Sequence, residues 1–189
     1  MAKVYVFLAD GFEDIEALAP IDILRRGGMD VVTVSVMDYQ LVESAHGVSM
    51  MADAMFDDVA SFDDADLLVL PGGMPGAANL YNHAGLRQVL LDQQEREERI
   101  AAICASPGVV LAPLGILSGK RATCYPGFEQ AFTDTTYTAD LVTTDGLITT
   151  ACGPGAAMAF GYELLRLLGA ADAAAALQDG MRYNQLIGA

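Results

Sequence analysis

Short apolar runs recur along the chain, each closed by turn-forming residues and most followed by a stretch with helical spacing. Residues 3–9 form the first such run. Residues 15–26 then place Ile15, Leu18, Ala19, Ile21, Ile23 and Leu24 at mostly helical intervals, until Gly27-Gly28 stops the pattern. Runs at 31–36, 67–70 and 100–103 read as further strands, and 85–98, 108–114, 156–168 and 172–182 as helices. Residues 41–43 and 48–51 read as a hairpin and 121–124 as a strand. Residues 141–143 and 147–151 read as a pair around the turn Thr144-Asp145-Gly146. Wholly apolar strands alternating with helices imply an α/β fold, with a mostly parallel central sheet covered by helices on both faces. No linker or repeat interrupts the pattern, so residues 1–189 are expected to form one domain.

Composition removes several function classes. The formal charge is −15, with only 10 basic residues, and such a surface repels phosphate backbones and anionic membranes. No nucleic-acid partner is expected. The apolar run at the N-terminus is too short for a signal sequence, and no segment is long enough to span a bilayer. The three cysteines, Cys104, Cys124 and Cys152, are widely spaced and odd in number. They form neither a disulfide framework nor a paired zinc site, which fits a reducing cytoplasm. No metal site is expected.

Ligands of parallel sheets gather beyond the carboxyl ends of the strands. Four strand ends carry unusual residues there: Ala9 to Glu13, Pro71-Gly72-Gly73, Cys104-Ala105-Ser106-Pro107 and Cys152-Gly153-Pro154-Gly155. In AAICASPGVV the strand runs straight into a helix, a geometry that projects the residue at the bend from the sheet edge. Ser106 is expected to cap that helix, with Pro107 in its first turn. The helix dipole is then expected to lower the pKa of Cys104. From these residues alone, a reactive thiol and a small buried filler weigh equally. The glycine pair lets backbone N–H groups face a substrate, and with the Ala105 N–H it suggests an oxyanion pocket; an ordinary tight turn is the plainer alternative. Asp10, Glu13, Asp14 and Glu16 crowd the start of the first helix, where capping explains most carboxylates. One carboxyl beside Cys104 would instead stay protonated and share a hydrogen bond with sulfur. The spacing does not say which. His46 and His83 fall in polar turns and read as exposed loop residues, so no Cys-His pair is apparent.

The stretches LADGFEDIEALAPIDILRRGG, LVLPGGMPGAANL, AAICASPGVVLAP, ATCYPG and TTACGPGAAMAF, in that order, resemble the ThiJ/PfpI superfamily from end to end. The resemblance is to the branch of the parkinsonism-associated protein and its bacterial relatives. It implies a flavodoxin-like three-layer sandwich, like that of class I glutamine amidotransferases, assembled as a homodimer. It puts the reactive cysteine on Cys104, its glutamate partner on Glu16, the glycine pair on Gly72 and Gly73, and the small residue after the cysteine on Ala105. It further implies a cofactor-independent cysteine enzyme acting on methylglyoxal-type α-oxoaldehydes or their protein or nucleotide adducts. A redox-sensing chaperone and a cysteine peptidase or amide hydrolase are the rival roles. The peptidase branch has histidine where this chain has Ala105, which weighs against proteolysis. Tyr125 stands where the parkinsonism-associated branch has a pocket histidine. His46 and Cys152 stand at positions where a basic residue is expected.

Overall fold

Period-two alternation within the strands divides their side chains between two cores. The computed structural model describes residues 1–188. In β1 (Lys3–Leu8), Val4, Val6 and Leu8 pack into one apolar layer, and Tyr5 and Phe7 into the other. The chain continues through α1 (Asp14–Arg26), β2 (Asp30–Ser35), the hairpin β3 (Leu41–Glu43) and β4 (Ser49–Met51), β5 (Ala54–Met55) and β6 (Leu67–Leu70). It proceeds through α2 (Gly76–Asn82), α3 (Ala84–Glu95), β7 (Arg99–Ile103), β8 (Arg121–Ala122), β9 (Thr136–Tyr137), β10 (Val142–Asp145) and β11 (Ile148–Ala151). It closes with α4 (Ala157–Leu167), α5 (Ala171–Gly180) and α6 (Tyr183–Ile187).

Seven strands form one sheet in the order β10-β11-β7-β6-β1-β2-β5, parallel throughout except for the β10–β11 pair. Strands β6 and β7 repeat the division seen in β1: Leu67, Val69, Ala101 and Ile103 enter one layer, and Leu68, Leu70, Ile100 and Ala102 the other. The first layer is covered by Ile23 and Leu24 of α1 and Phe160 and Leu164 of α4. The second is covered by Leu80 of α2, by Leu86 and Leu90 of α3, and by Val110 and Leu111. Each fully buried leucine or phenylalanine contributes about 1.5–3 kcal/mol, so both faces of the sheet are held by apolar burial. The expected three-layer α/β sandwich is the fold observed. Among the described residues no helix is long and apolar enough to cross a membrane.

Three local expectations need correction. The segment 121–124 extends as strand only over Arg121–Ala122, in a separate parallel pair with β9. The Thr123 N–H turns to the Thr150 hydroxyl instead (2.9 Å), which ends the ladder. The segment 108–114 is a π-helical turn over Pro107–Leu111, closed by Ala112 N–H donating to the Pro107 carbonyl at 2.9 Å. Helix α2 was not expected, because its start carries no side-chain cap and its first residue is a glycine, a poor helix former.

Candidate active site

Strand β1 lies where the chain order reverses, between β6 and β2, and such a switch point opens a crevice at the carboxyl edge. Three segments converge there: the β1–α1 loop, the Pro71-Gly72-Gly73 turn after β6, and Cys104 directly after β7. The loops are tied together by Glu13 N–H donating to the Gly72 carbonyl at 3.0 Å.

Cys104 adopts a left-handed backbone conformation, φ 66°, which is costly for a non-glycine residue and marks a sharp elbow. The elbow is pinned on three sides. Cys104 N–H donates to the Ala151 carbonyl (2.8 Å), and the Cys104 carbonyl accepts from Tyr125 N–H (2.9 Å). Ser106, wholly buried, donates its hydroxyl to the Pro71 carbonyl. Ser106 therefore does not cap the following turn as expected. It already has helical dihedrals, and its hydroxyl joins the elbow to the glycine turn instead.

Glu16 is the carboxyl that turns inward. Glu13 caps α1, its side chain accepting from Glu16 N–H at 2.8 Å, and Asp10 accepts from Glu43 N–H at 2.9 Å. Asp14 accepts from the Ser44 hydroxyl at 2.6 Å and pairs with His46 at 2.8 Å. Glu16 is fully buried, on the same face of α1 as Pro20, Ile23 and Leu24. That phase was readable in the sequence: an acidic residue at i, with apolar residues at i+4, i+7 and i+8, sits on the helix's inward stripe. Its Oε2 accepts from Gly72 N–H at 3.0 Å, while Oε1 is buried without an aligned hydrogen-bond partner. The Cys104 thiol lies close enough that each side chain shifts the other's titration.

Burial raises the Glu16 pKa from about 4.5 to about 7; the Glu13 charge adds to this, and Cys104 and the Gly72 N–H oppose it. The Cys104 thiol is also pushed up, first by burial and then by Glu16, against the pull of the Gly73 and Ala105 N–H groups. The expected lowering by a helix dipole is thus not what the structure gives. Only a five-residue π-turn follows, and a buried carboxylate stands next to the sulfur. The two groups behave as one unit, in which an ionised Glu16 can accept the thiol proton.

The glycine pair is required by space. A Cβ on Gly72 would lie 2.5 Å from Glu16 Oε2 and 2.6 Å from Cys104 Cβ. Gly73 has φ 90°, and a Cβ there would strike the backbone of the β1–α1 loop. Tyr125 is about half exposed, and its ring lies against Gly153 near the end of β11. Neither histidine joins Cys104 in a pair. His46 is exposed against Asp14 with Glu13 nearby, and bonding to Asp14 raises its pKa. His83 is not the free loop residue expected, since its ring accepts from Leu86 N–H at 3.0 Å and caps α3.

This fold and elbow define the class: an α/β protein carrying a cysteine at a strand-to-helix bend on the carboxyl edge of a parallel sheet. More narrowly, the chain belongs to the DJ-1/PfpI family, whose profile matches residues 2–167. Protein DJ-1 homolog B of Arabidopsis thaliana is 40% identical over 167 residues, covering 88% of this chain but only 38% of the relative, so the chain spans well under half of that protein. The glutathione-independent glyoxalase DJ-1 of Schizosaccharomyces pombe is 31% identical over 91% of this chain and 94% of its own length. Among solved structures, oxidized DJ-1 of Toxoplasma gondii superposes with a TM-score of 0.92 at 36% identity, over 96% of this chain and 98% of the other.

Proposed function

We propose that the protein is a cofactor-independent cysteine enzyme that converts small α-oxoaldehydes, or their adducts on proteins and nucleotides, to hydroxy acids. The observation that carries this reading is the buried Glu16, with a pKa near 7, set against Cys104 on its left-handed elbow. A base with that pKa is matched to proton transfer at neutral pH. A relative named as a glutathione-independent glyoxalase supports the substrate class.

Glu16 takes the thiol proton as Sγ attacks the aldehyde carbon, giving a hemithioacetal. The Gly73 and Ala105 N–H groups, already directed at the sulfur, stabilise the oxygen anion formed there. Glu16 returns that proton to the oxygen anion, then takes the proton of the former aldehyde carbon and delivers it to the neighbouring carbon as the hydroxyl proton passes to the adjacent oxygen, leaving a thioester of the 2-hydroxy acid. Water cleaves the thioester and restores the Glu16–Cys104 pair. Tyr125, half exposed and joined through its N–H to the Cys104 carbonyl, contacts the variable end of the substrate in this reading. The test is lactate formation from methylglyoxal by wild type and Cys104→Ser. Wild type turns over and the variant does not; equal rates, or an inert wild type, overturn the reading.

The chain further assembles as a homodimer in this reading. Ile15 and Leu18 of α1 are 52% and 43% exposed, and Leu41 and Met51 of the neighbouring hairpin 52% and 61%. Ser44 ties that hairpin to α1 through Asp14, and in this reading the exposed side chains of the two elements form the dimer contact.

A further inference from the structure

Cys104 and Cys152 directly follow adjacent parallel strands at the same level. Ile103 and Ala151 are register partners in β7 and β11, and the Cys104 N–H continues the ladder to the Ala151 carbonyl at 2.8 Å. In a parallel ladder that bond makes Cys152 the residue opposite Cys104. Neighbouring strands lie about 4.8 Å apart. A disulfide spans Cα separations of roughly 4.4–6.8 Å, so this spacing falls inside its range. Both side chains pack against the same apolar layer, the one between the sheet and helices α1 and α4. Cys152 is partly exposed, whereas Cys124 is fully buried and held up to about 12 by that burial. Cys152 also lies near enough to Glu16 to feel its charge.

We propose that Cys152 is the resolving thiol of a hydroperoxide-responsive pair, which turns oxidation of Cys104 into a reversible disulfide. Of the two sulfurs, Cys104 reacts first, because Glu16 stands beside it to take its proton as it attacks and the Gly73 and Ala105 N–H groups face the sulfur. Its thiolate attacks the terminal peroxide oxygen, the O–O bond breaks, and an alcohol (or water) leaves with the displaced proton. Cys104 becomes a sulfenic acid. The Cys152 sulfur then attacks Cys104 Sγ, forming the S–S bond and breaking the S–O bond, and water departs with the Cys152 proton. Two thiols and one hydroperoxide thus give one disulfide, one alcohol and one water. Without Cys152 the sulfenic acid lacks its resolving thiol, and a second hydroperoxide oxidises it to sulfinate with release of a second alcohol, a state that thiols do not reverse.

The experiment treats wild type, Cys152→Ser, Cys152→Ala and Cys124→Ser with two molar equivalents of cumene hydroperoxide, followed by intact mass and peptide mapping before and after dithiothreitol. Wild type and Cys124→Ser lose two hydrogens, yield a Cys104–Cys152 linked peptide and return to the starting mass on reduction. Both Cys152 variants gain oxygen at Cys104, with several-fold more irreversible sulfinate than wild type. Circular dichroism confirms that the variants are folded. Equal sulfinate yields in wild type and both Cys152 variants, or a linked peptide joining Cys124 and Cys152, overturn the proposal. The inference uses the reactive Cys104 of the proposed function but not its aldehyde chemistry. A protein inert to methylglyoxal that still forms the disulfide defeats the earlier reading alone, and one that makes lactate but forms no disulfide defeats this one alone.

Discussion

Glu16 Oε2 and Cys104 Cβ converge on the side of Gly72 where any other residue would carry its Cβ, at 2.5 and 2.6 Å from that point. The contact between acid and thiol therefore depends on an absent side chain. It follows that Gly72 positions the pair although it has no reactive group of its own.

Gly72→Ala separates Glu16 from Cys104. Overpacking at this buried point costs about 1–3 kcal/mol of stability. Lactate formation falls about a hundredfold, the scale of a misplacement of about one ångström in a reacting group. Urea unfolding and a methylglyoxal assay measure the two effects. A variant of undiminished activity means that the Glu16–Cys104 contact is not needed.

Glu16 makes stability depend on pH in a definite direction. Its pKa in the folded protein, about 7, lies above the ordinary 4.5, so the folded state binds the proton more tightly. The stabilisation from protonated Glu16 is complete below about pH 4.5 and is lost as pH rises through 7. Glu16→Gln cannot ionise and lacks this loss. Urea midpoints of the two proteins should diverge across that interval, with wild type falling relative to the variant. Parallel curves contradict the raised pKa.

Ser106 holds the elbow to the glycine turn through the Pro71 carbonyl. Ser106→Ala removes that donor in a fully buried setting and costs about 1–3 kcal/mol. Thermal unfolding reads the effect, and a change within error contradicts this account of the elbow.

The exposed α1 residues carry the dimer proposal. Sedimentation velocity at micromolar concentration should give a dimer for wild type and a monomer for Leu18→Glu. A monomeric wild type contradicts it.

The fold was legible because its strands announce themselves: 67–70 and 100–103 are uninterrupted apolar runs, as double-faced burial requires. The short elements were not. Strand β8 stops after Ala122 because Thr123 bonds a hydroxyl across the fold, and α2 begins without a side-chain cap. At the site, Cys104 and the glycines stood out as residues that punctuate strand ends. The choice among four neighbouring carboxyls came from family resemblance: helical phase put Glu16 on the inward stripe, but it put Glu13 in line with Ala17, Pro20 and Ile21 as well, and the two part only because Glu13 precedes the helix as its cap. The direction of the Cys104 shift was misread because sequence shows the turn after a cysteine but not the carboxylate folded against it. The Cys104–Cys152 alignment was equally hidden, since strand register is a property of the sheet.

The central claim is that Glu16 and Cys104 act as one proton-sharing unit on an α-oxoaldehyde. The most direct measurement is the rate of lactate formation from methylglyoxal between about pH 5 and pH 9, for wild type, Cys104→Ser and Glu16→Gln. Wild type should rise through an apparent pKa near 7 as Glu16 becomes the base, Cys104→Ser should be inactive, and Glu16→Gln should lose both the rising limb and most of the rate. A Glu16→Gln profile that matches wild type in height and shape would contradict the account.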